Sequence, residues 1–174
     1  MTDEERRIRS YLQAQGAKLS PPAIVDKVRA AMADLRAAAE SVPAARFTER
    51  PAAEEWSANE VMAHVVAAGG YFGGGITSIL DQGPPPQRMK DQGAVGAPVR
   101  TTAEWCDLLA RDREALFGRV ARADPAAHLD RAIEHGMFGP LNWRETLLFM
   151  RLHDLDHAGQ LQKIAAALSG PQPA

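Results

Sequence analysis

The chain contains a single cysteine, Cys106. It therefore forms no internal disulfide and no Cys-type zinc site, and any metal it holds must rest on histidine or carboxylate. A basic excess is also lacking. Twenty Lys and Arg stand against 22 Asp and Glu, for a formal charge of -2, which is not the balance that neutralises nucleic-acid phosphates. No stretch approaches the ~18 uninterrupted apolar residues of a membrane span. The opening residues, MTDEERRIRSYLQAQG, are charged and contain no apolar segment of the signal-peptide kind. Hydrophobic residues at 45% and charged ones at 24% exclude wholesale disorder and low-complexity classes. These absences read as a soluble cytoplasmic domain with neither nucleic acid nor membrane as partner. At 174 residues it is long enough to bury roughly two-thirds of its unfolded surface.

Strand alternation is missing too, and what replaces it is helical periodicity with clear start signals. Ser20 before Pro21 and Pro22 reads as an N-cap with proline in the first turn. It opens an amphipathic run through Ile24, Val28, Met32 and Leu35 to about Glu40. Ser57 with Glu60, Thr101 with Glu104 and Asn142 with Glu145 each place a capping side chain three residues ahead of a glutamate. They predict helices from Ser57 to Leu80, Thr102 to Arg122 and Trp143 to Leu168, the last stopped by Gly170 and Pro171. A short helix is expected over Asp3 to Gln15. The connections, Gly83 to Pro98 and Pro125 to Pro140, are rich in turn residues and show no strand pattern. The expected architecture is all-α: a helical extension over 1–19 and a four-helix bundle over 20–170.

Five histidines carry the candidate chemistry. His153 and His157 stand i, i+4 on the last helix, about 40° apart on the wheel, so they can share a ligand. Their face continues through Thr146, Phe149 and Met150 and through Leu161, Ile164 and Leu168, the stripe a bundle helix turns inward. His64 shares a face with Val61, Ala68 and Phe72. Buried imidazoles need partners for both nitrogens. Either a divalent ion supplies them, or hydrogen bonds across the core do. Three inward histidines have the ligand count of an open metal site.

Other residues have simpler readings. Glu60 is a possible ligand or base that its capping box already explains. Asp156 either orients a ligand ring or is a solvated charge beside Arg151 or Gln160. His128 and His135 fall in a connection, where a surface position is the default, although they can line the mouth of a site. Cys106, beside Trp105, reads as a small buried apolar residue. The run Gly69-Gly70-Tyr71-Phe72-Gly73-Gly74-Gly75 costs its helix about 1 kcal/mol per glycine against alanine. It leaves room for a ligand or permits close helix packing.

Trp56-Ser57 followed by Glu60 and His64, with Phe138-Gly139-Pro140-Leu141 leading into Trp143, Glu145, His153 and His157, resembles the DinB-like superfamily of metal-binding four-helix proteins. The resemblance spans about Ile24 to Leu168. It implies an up-down-down-up bundle, a divalent nickel or zinc ion on His64, His153 and His157, and a homodimer. It further implies a small-molecule substrate, among relatives often a low-molecular-weight thiol such as bacillithiol or mycothiol, used by S-transferases and isomerases. Where such proteins often carry an acidic residue about one turn after the first histidine, this chain has Ala67, Ala68 and then glycines. Two functions follow as expectations. One is a metal-dependent enzyme, a thiol S-transferase or a hydrolase. The other is a non-catalytic metal-binding stress-response or partner-binding bundle.

Overall fold

The computed structural model of the protein describes residues 1–84, 94 and 96–170. Five α-helices carry the fold: α1 (Asp3–Lys18), α2 (Pro21–Ser41), α3 (Ala58–Leu80), α4 (Thr102–Val120) and α5 (Trp143–Leu168). Most of the connection Gly83 to Pro98 lies outside the described residues, as does Pro171.

Each start signal acts locally. The Ser20 hydroxyl accepts from the Ala23 amide at 3.4 Å with Pro21 as the first helical residue. Reciprocal capping boxes form at Ser57 and Glu60, Thr101 and Glu104, and Asn142 and Glu145. A further box, Thr2 with Glu5, starts α1. Such caps satisfy amides that the first turn leaves without partners. The α1 helix runs to Lys18 rather than Gln15, and α4 stops at Val120 rather than Arg122.

Helices α2 and α3 each pack on both α4 and α5, and α1 lies along α5. The approach of α1 is close: a Cβ on Gly16 would meet Glu145 Cγ at 3.1 Å. Leu12 of α1 is fully buried with the core of the bundle.

The connection between α4 and α5 departs from expectation. It contains an antiparallel hairpin, β1 (Ile133–His135) and β2 (Gly139–Leu141), with Ile133 opposite Leu141 and His135 opposite Gly139. Three-residue strands are too short to show a period of two, and Pro140 stands inside the second. Tertiary burial of Ile133, Phe138 and Leu141 forms the hairpin. A short 3-10 turn at Ala44–Arg46 follows α2.

The core has two apolar levels. One gathers Val28, Phe72, Phe117, Trp143 and Leu147, and the other Leu35, Met62, Trp105, Leu109 and Leu161. Between them α3, α4 and α5 contribute polar side chains: His64, Arg113, His153, Asp154 and His157. The bundle is thus interrupted midway by a polar layer.

Candidate metal centre

His64 sits two turns inside α3, and His153 and His157 lie one turn apart on α5. The structure brings these three together: their donor nitrogens all lie within 4.8 Å of one another. Nε2 of His153 is 3.0 Å from Nε2 of His64 and 3.2 Å from Nε2 of His157. The rings meet at tilted or edge-on angles, with centroids 4.4 to 5.0 Å apart.

Proton accounting shows why this arrangement suits a cation. Nδ1 of His157 lies 2.8 Å from Oε1 of Gln160, so Nδ1 donates and Nε2 of a neutral ring presents its lone pair to the cluster. A neutral His153 has one Nε2, which either donates to one neighbour or accepts from one. Its two contacts at 3.0 and 3.2 Å therefore cannot both be hydrogen bonds while every ring is neutral. Burial opposes the charged alternative. The His153 imidazole is pushed down to about 2, first by burial and then by His157, His64, Arg113 and His135. Burial likewise lowers His157, against the pull of Gln160.

A divalent ion removes the conflict by taking lone pairs. Bonds of about 2.0–2.1 Å meeting at about 90–110° hold their nitrogens about 2.8–3.4 Å apart, which matches the two contacts of His153, while the whole set spans up to 4.8 Å and closes on an ion by a small shift of the rings. The donor set therefore fits a metal. No fourth His, Cys, Asp or Glu joins the three among the described residues.

The remaining candidates sort by contact. Glu60 completes the Ser57 box and pairs with Arg50, so the capping reading of this residue holds and it is not a ligand. Asp156 is exposed, and Gln160 takes the ring-orienting place instead. His128 is half-buried in a turn with φ 52° and stays out of the cluster. His135 differs from the expected surface histidine. Its ring is stacked on Phe138 at 4.7 Å and set edge-on to Phe149 at 4.2 Å, and Phe149 in turn faces His153 at 5.8 Å. The amides of Met137 and Phe138 donate to its Nδ1 at 3.2 and 3.3 Å. Burial lowers its pKa to about 4, so it forms a neutral wall near His153. Cys106 is buried and free, and burial raises its thiol.

Sequence reasoning missed Asp154 and Arg113. Their side chains are 0% and 2% exposed, and Arg113 Nη2 donates to Asp154 Oδ1 at 2.9 Å. The signal was present, because Arg113 falls on the Leu109, Leu116 stripe of α4 and Asp154 on the Met150, His157, Leu161 stripe of α5. A cleft of about 490 Å³ is lined by Trp56, Gln160, Lys163 and Ile164 among others. Trp56 packs on His64 at 5.2 Å, so two cleft residues, Trp56 and Gln160, touch the cluster directly.

The family model for the DinB superfamily matches residues 27–161, which include all three histidines. The chain belongs to the DinB superfamily. Among solved structures, this DinB protein is similar to TT2238, described as a four-helix bundle protein. Identity is 21% and the TM-score 0.62, and the match covers 83% of this chain and 99% of the other. That likeness supports the bundle fold. No curated protein matches the chain.

Proposed function

We propose that this DinB protein is a divalent-metal-dependent enzyme, a thiol-dependent S-transferase or, in its water-using form, a hydrolase. The observation that carries the reading is the convergence of three Nε2 atoms at 3.0 and 3.2 Å with no fourth protein donor among the described residues. Three neutral ligands and an open position are the pattern of catalytic rather than structural sites. His64, His153 and His157 would hold the ion, and imidazole suits nickel and zinc alike. Bound there, a divalent ion supplies Lewis acidity, lowering the pKa of a coordinated thiol or water.

The chain's own residues have supporting roles. Gln160 fixes the His157 ring with Nε2 facing the cluster. Burial keeps His153 and His157 neutral and able to ligate. The cleft bordered by Trp56 and Gln160 provides the approach for a small molecule, and Lys163 and Glu54 on its walls offer charges of both signs. The polar balance and the single buried cysteine support a cytoplasmic setting. No described helix is long and apolar enough to cross a membrane.

The test is elemental analysis of protein purified without an affinity tag. A screen of thiol transfer and of ester and amide hydrolysis follows, using nickel-loaded, zinc-loaded and metal-free protein. Metal-dependent turnover is expected. Stoichiometric metal without turnover on any substrate would favour the second reading, a non-catalytic metal-binding bundle. One observation leans that way: Glu60 is committed to its cap and to Arg50, so it does not supply a base at the cluster.

A further inference from the structure

His135 is half-buried on β1, and three aromatic rings hold its imidazole in place. It stacks on Phe138 at 4.7 Å and on Phe72 at 5.6 Å, and it meets Phe149 edge-on at 4.2 Å. Phe72 lies two turns after His64 on α3 and Phe149 one turn before His153 on α5, and their rings touch at 5.0 Å. Tyr71 of α3 ties the hairpin down by donating to the Glu134 carbonyl at 3.3 Å. His135 is thus set on the same seam between α3 and α5 that carries the three clustered histidines. Phe149 contacts both its ring and that of His153.

The two nitrogens of this ring differ. Nδ1 accepts from the amides of Met137 and Phe138 at 3.2 and 3.3 Å, so it is unprotonated. Burial lowers the pKa to about 4 and keeps the ring neutral. The one remaining proton is therefore on Nε2. That N–H has no acceptor among the described residues. Nor is Nε2 sealed in: the side-chain atoms that are both enclosed and unpartnered belong to Arg113, Arg144 and Asp154. His135 therefore presents a fixed donor that a partner from solution can reach.

A phenylalanine would pack among the same three rings without the cost of burying a polar group. Nδ1 has its reason in the hairpin amides, whereas Nε2–H does nothing for the folded chain. Ligand sites are largely apolar, with a few placed polar groups that fix orientation. The nature of the acceptor follows from charge. Burial is the only cause of the lowered pKa, so no charged side chain acts on this ring. A carboxylate brought there would lose water with no counter-charge, and a neutral carbonyl oxygen would not.

We propose that His135 is a substrate-binding residue whose Nε2–H donates to the carbonyl oxygen of the electrophile. The inference rests on the enzyme reading above, and it narrows the electrophile to a carbonyl compound such as an ester, an amide or an enone.

The test uses cobalt-loaded, full-length protein, with the thiolate-to-cobalt absorption band as the readout of affinity. The probes are ω-mercaptoamides of one to three methylenes, which carry a thiol and a carbonyl, and ethanethiol, which has no carbonyl. At least one amide is expected to bind about 3–10-fold more tightly than ethanethiol, the usual contribution of a neutral hydrogen bond. His135→Phe keeps the ring packing, and His135→Asn keeps an acceptor for the hairpin amides. Both lack the Nε2 donor, and both are expected to erase the gain while cobalt content and ethanethiol affinity stay unchanged. No band with any thiol would overturn the thiol reading of the site and this inference with it. Bands of equal affinity for all the probes, or a gain that survives in His135→Asn, would overturn this inference alone.

Discussion

Arg113 of α4 and Asp154 of α5 form a buried ion pair, 2.9 Å from Nη2 to Oδ1, and Asp154 directly follows His153 of the histidine cluster. Burial raises the Asp154 carboxyl to about 6 against the opposing pull of Arg113, and burial lowers the guanidinium. Both ions have lost water and depend on one another.

Removing one partner strands the other. Asp154→Ala is expected to cost about 3–5 kcal/mol, the usual consequence of leaving a buried charge alone. The double variant Arg113→Met, Asp154→Leu is expected to recover most of that loss, because an apolar pair of similar volume needs no compensation. Urea unfolding of the two singles and the double measures the coupling. A loss below about 1 kcal/mol in Asp154→Ala would show that the pair contributes little.

The second prediction concerns the ion. His153 lies between the other two, 3.0 and 3.2 Å from their Nε2 atoms. Its replacement by Ala is expected to remove most bound metal while leaving helicity largely intact. Elemental analysis with far-ultraviolet circular dichroism reads both. Full occupancy in His153→Ala would refute the three-histidine site.

Stability of the metal-free protein is expected to fall with pH. His135 and His153 are held at about 4 and about 2, and His157 is lowered, against an ordinary value of 6.5. Below pH 6.5 the unfolded chain binds protons that the native rings refuse, so stability present above 6.5 is lost on the way to about 4. Asp154 acts in the opposite sense. Its native value of about 6 exceeds the ordinary 3.8, which favours folding as pH falls from 6 to 4. Three groups against one decide the direction. Melting temperature in the presence of chelator should drop from pH 7 to pH 5, and less steeply in His135→Phe. A flat profile would contradict the burial of these rings.

A homodimer is the expected assembly. Between α2 and α5 runs a groove with small residues, Ala37, Ala38, Ala158 and Gly159, which permits close approach of a two-fold related helix. Light scattering at micromolar concentration should return twice the 18.8 kDa chain mass, and the single-chain mass would refute it.

What the sequence revealed divides by range. The caps at Ser20, Ser57, Thr101 and Asn142 involve residues three apart, and every one forms as read. The histidine wheel worked because its argument needs only helix geometry and an apolar stripe. Asp154 and Arg113 stand on the same kind of inward stripe and were missed, because a charge there reads as solvated until its opposite appears 41 residues away. His135 was opaque for another reason. Its burial comes from Phe72, Phe138 and Phe149, which a hairpin of two three-residue strands gathers around it. The wheel left Asp156 open as a ring-orienting group or a solvated charge, since it measures angle about the helix and not reach; the residue is exposed. Gln160, three residues after His157, has the length to fold back on its Nδ1.

That reach gives the last prediction. The bond of 2.8 Å from Nδ1 of His157 to Oε1 of Gln160 decides which nitrogen carries the proton, and so leaves Nε2, 3.2 Å from Nε2 of His153, with its lone pair. In Gln160→Leu the acceptor is lost. The neutral ring is then free to place its proton on Nε2, where it blocks ligation, and to rotate away from the cluster. Outer partners of ligating histidines typically contribute 10–100-fold to metal affinity, so zinc affinity is expected to fall by about that factor. Gln160→Glu keeps an acceptor and is expected to retain or strengthen binding. Gln160 is only half-buried at the cleft wall, so thermal stability of the metal-free protein should change little, which separates loss of orientation from loss of fold. Competition with a chromogenic zinc chelator measures the affinities. Parent-like affinity in Gln160→Leu would show that packing around His157, and not this hydrogen bond, sets the ring.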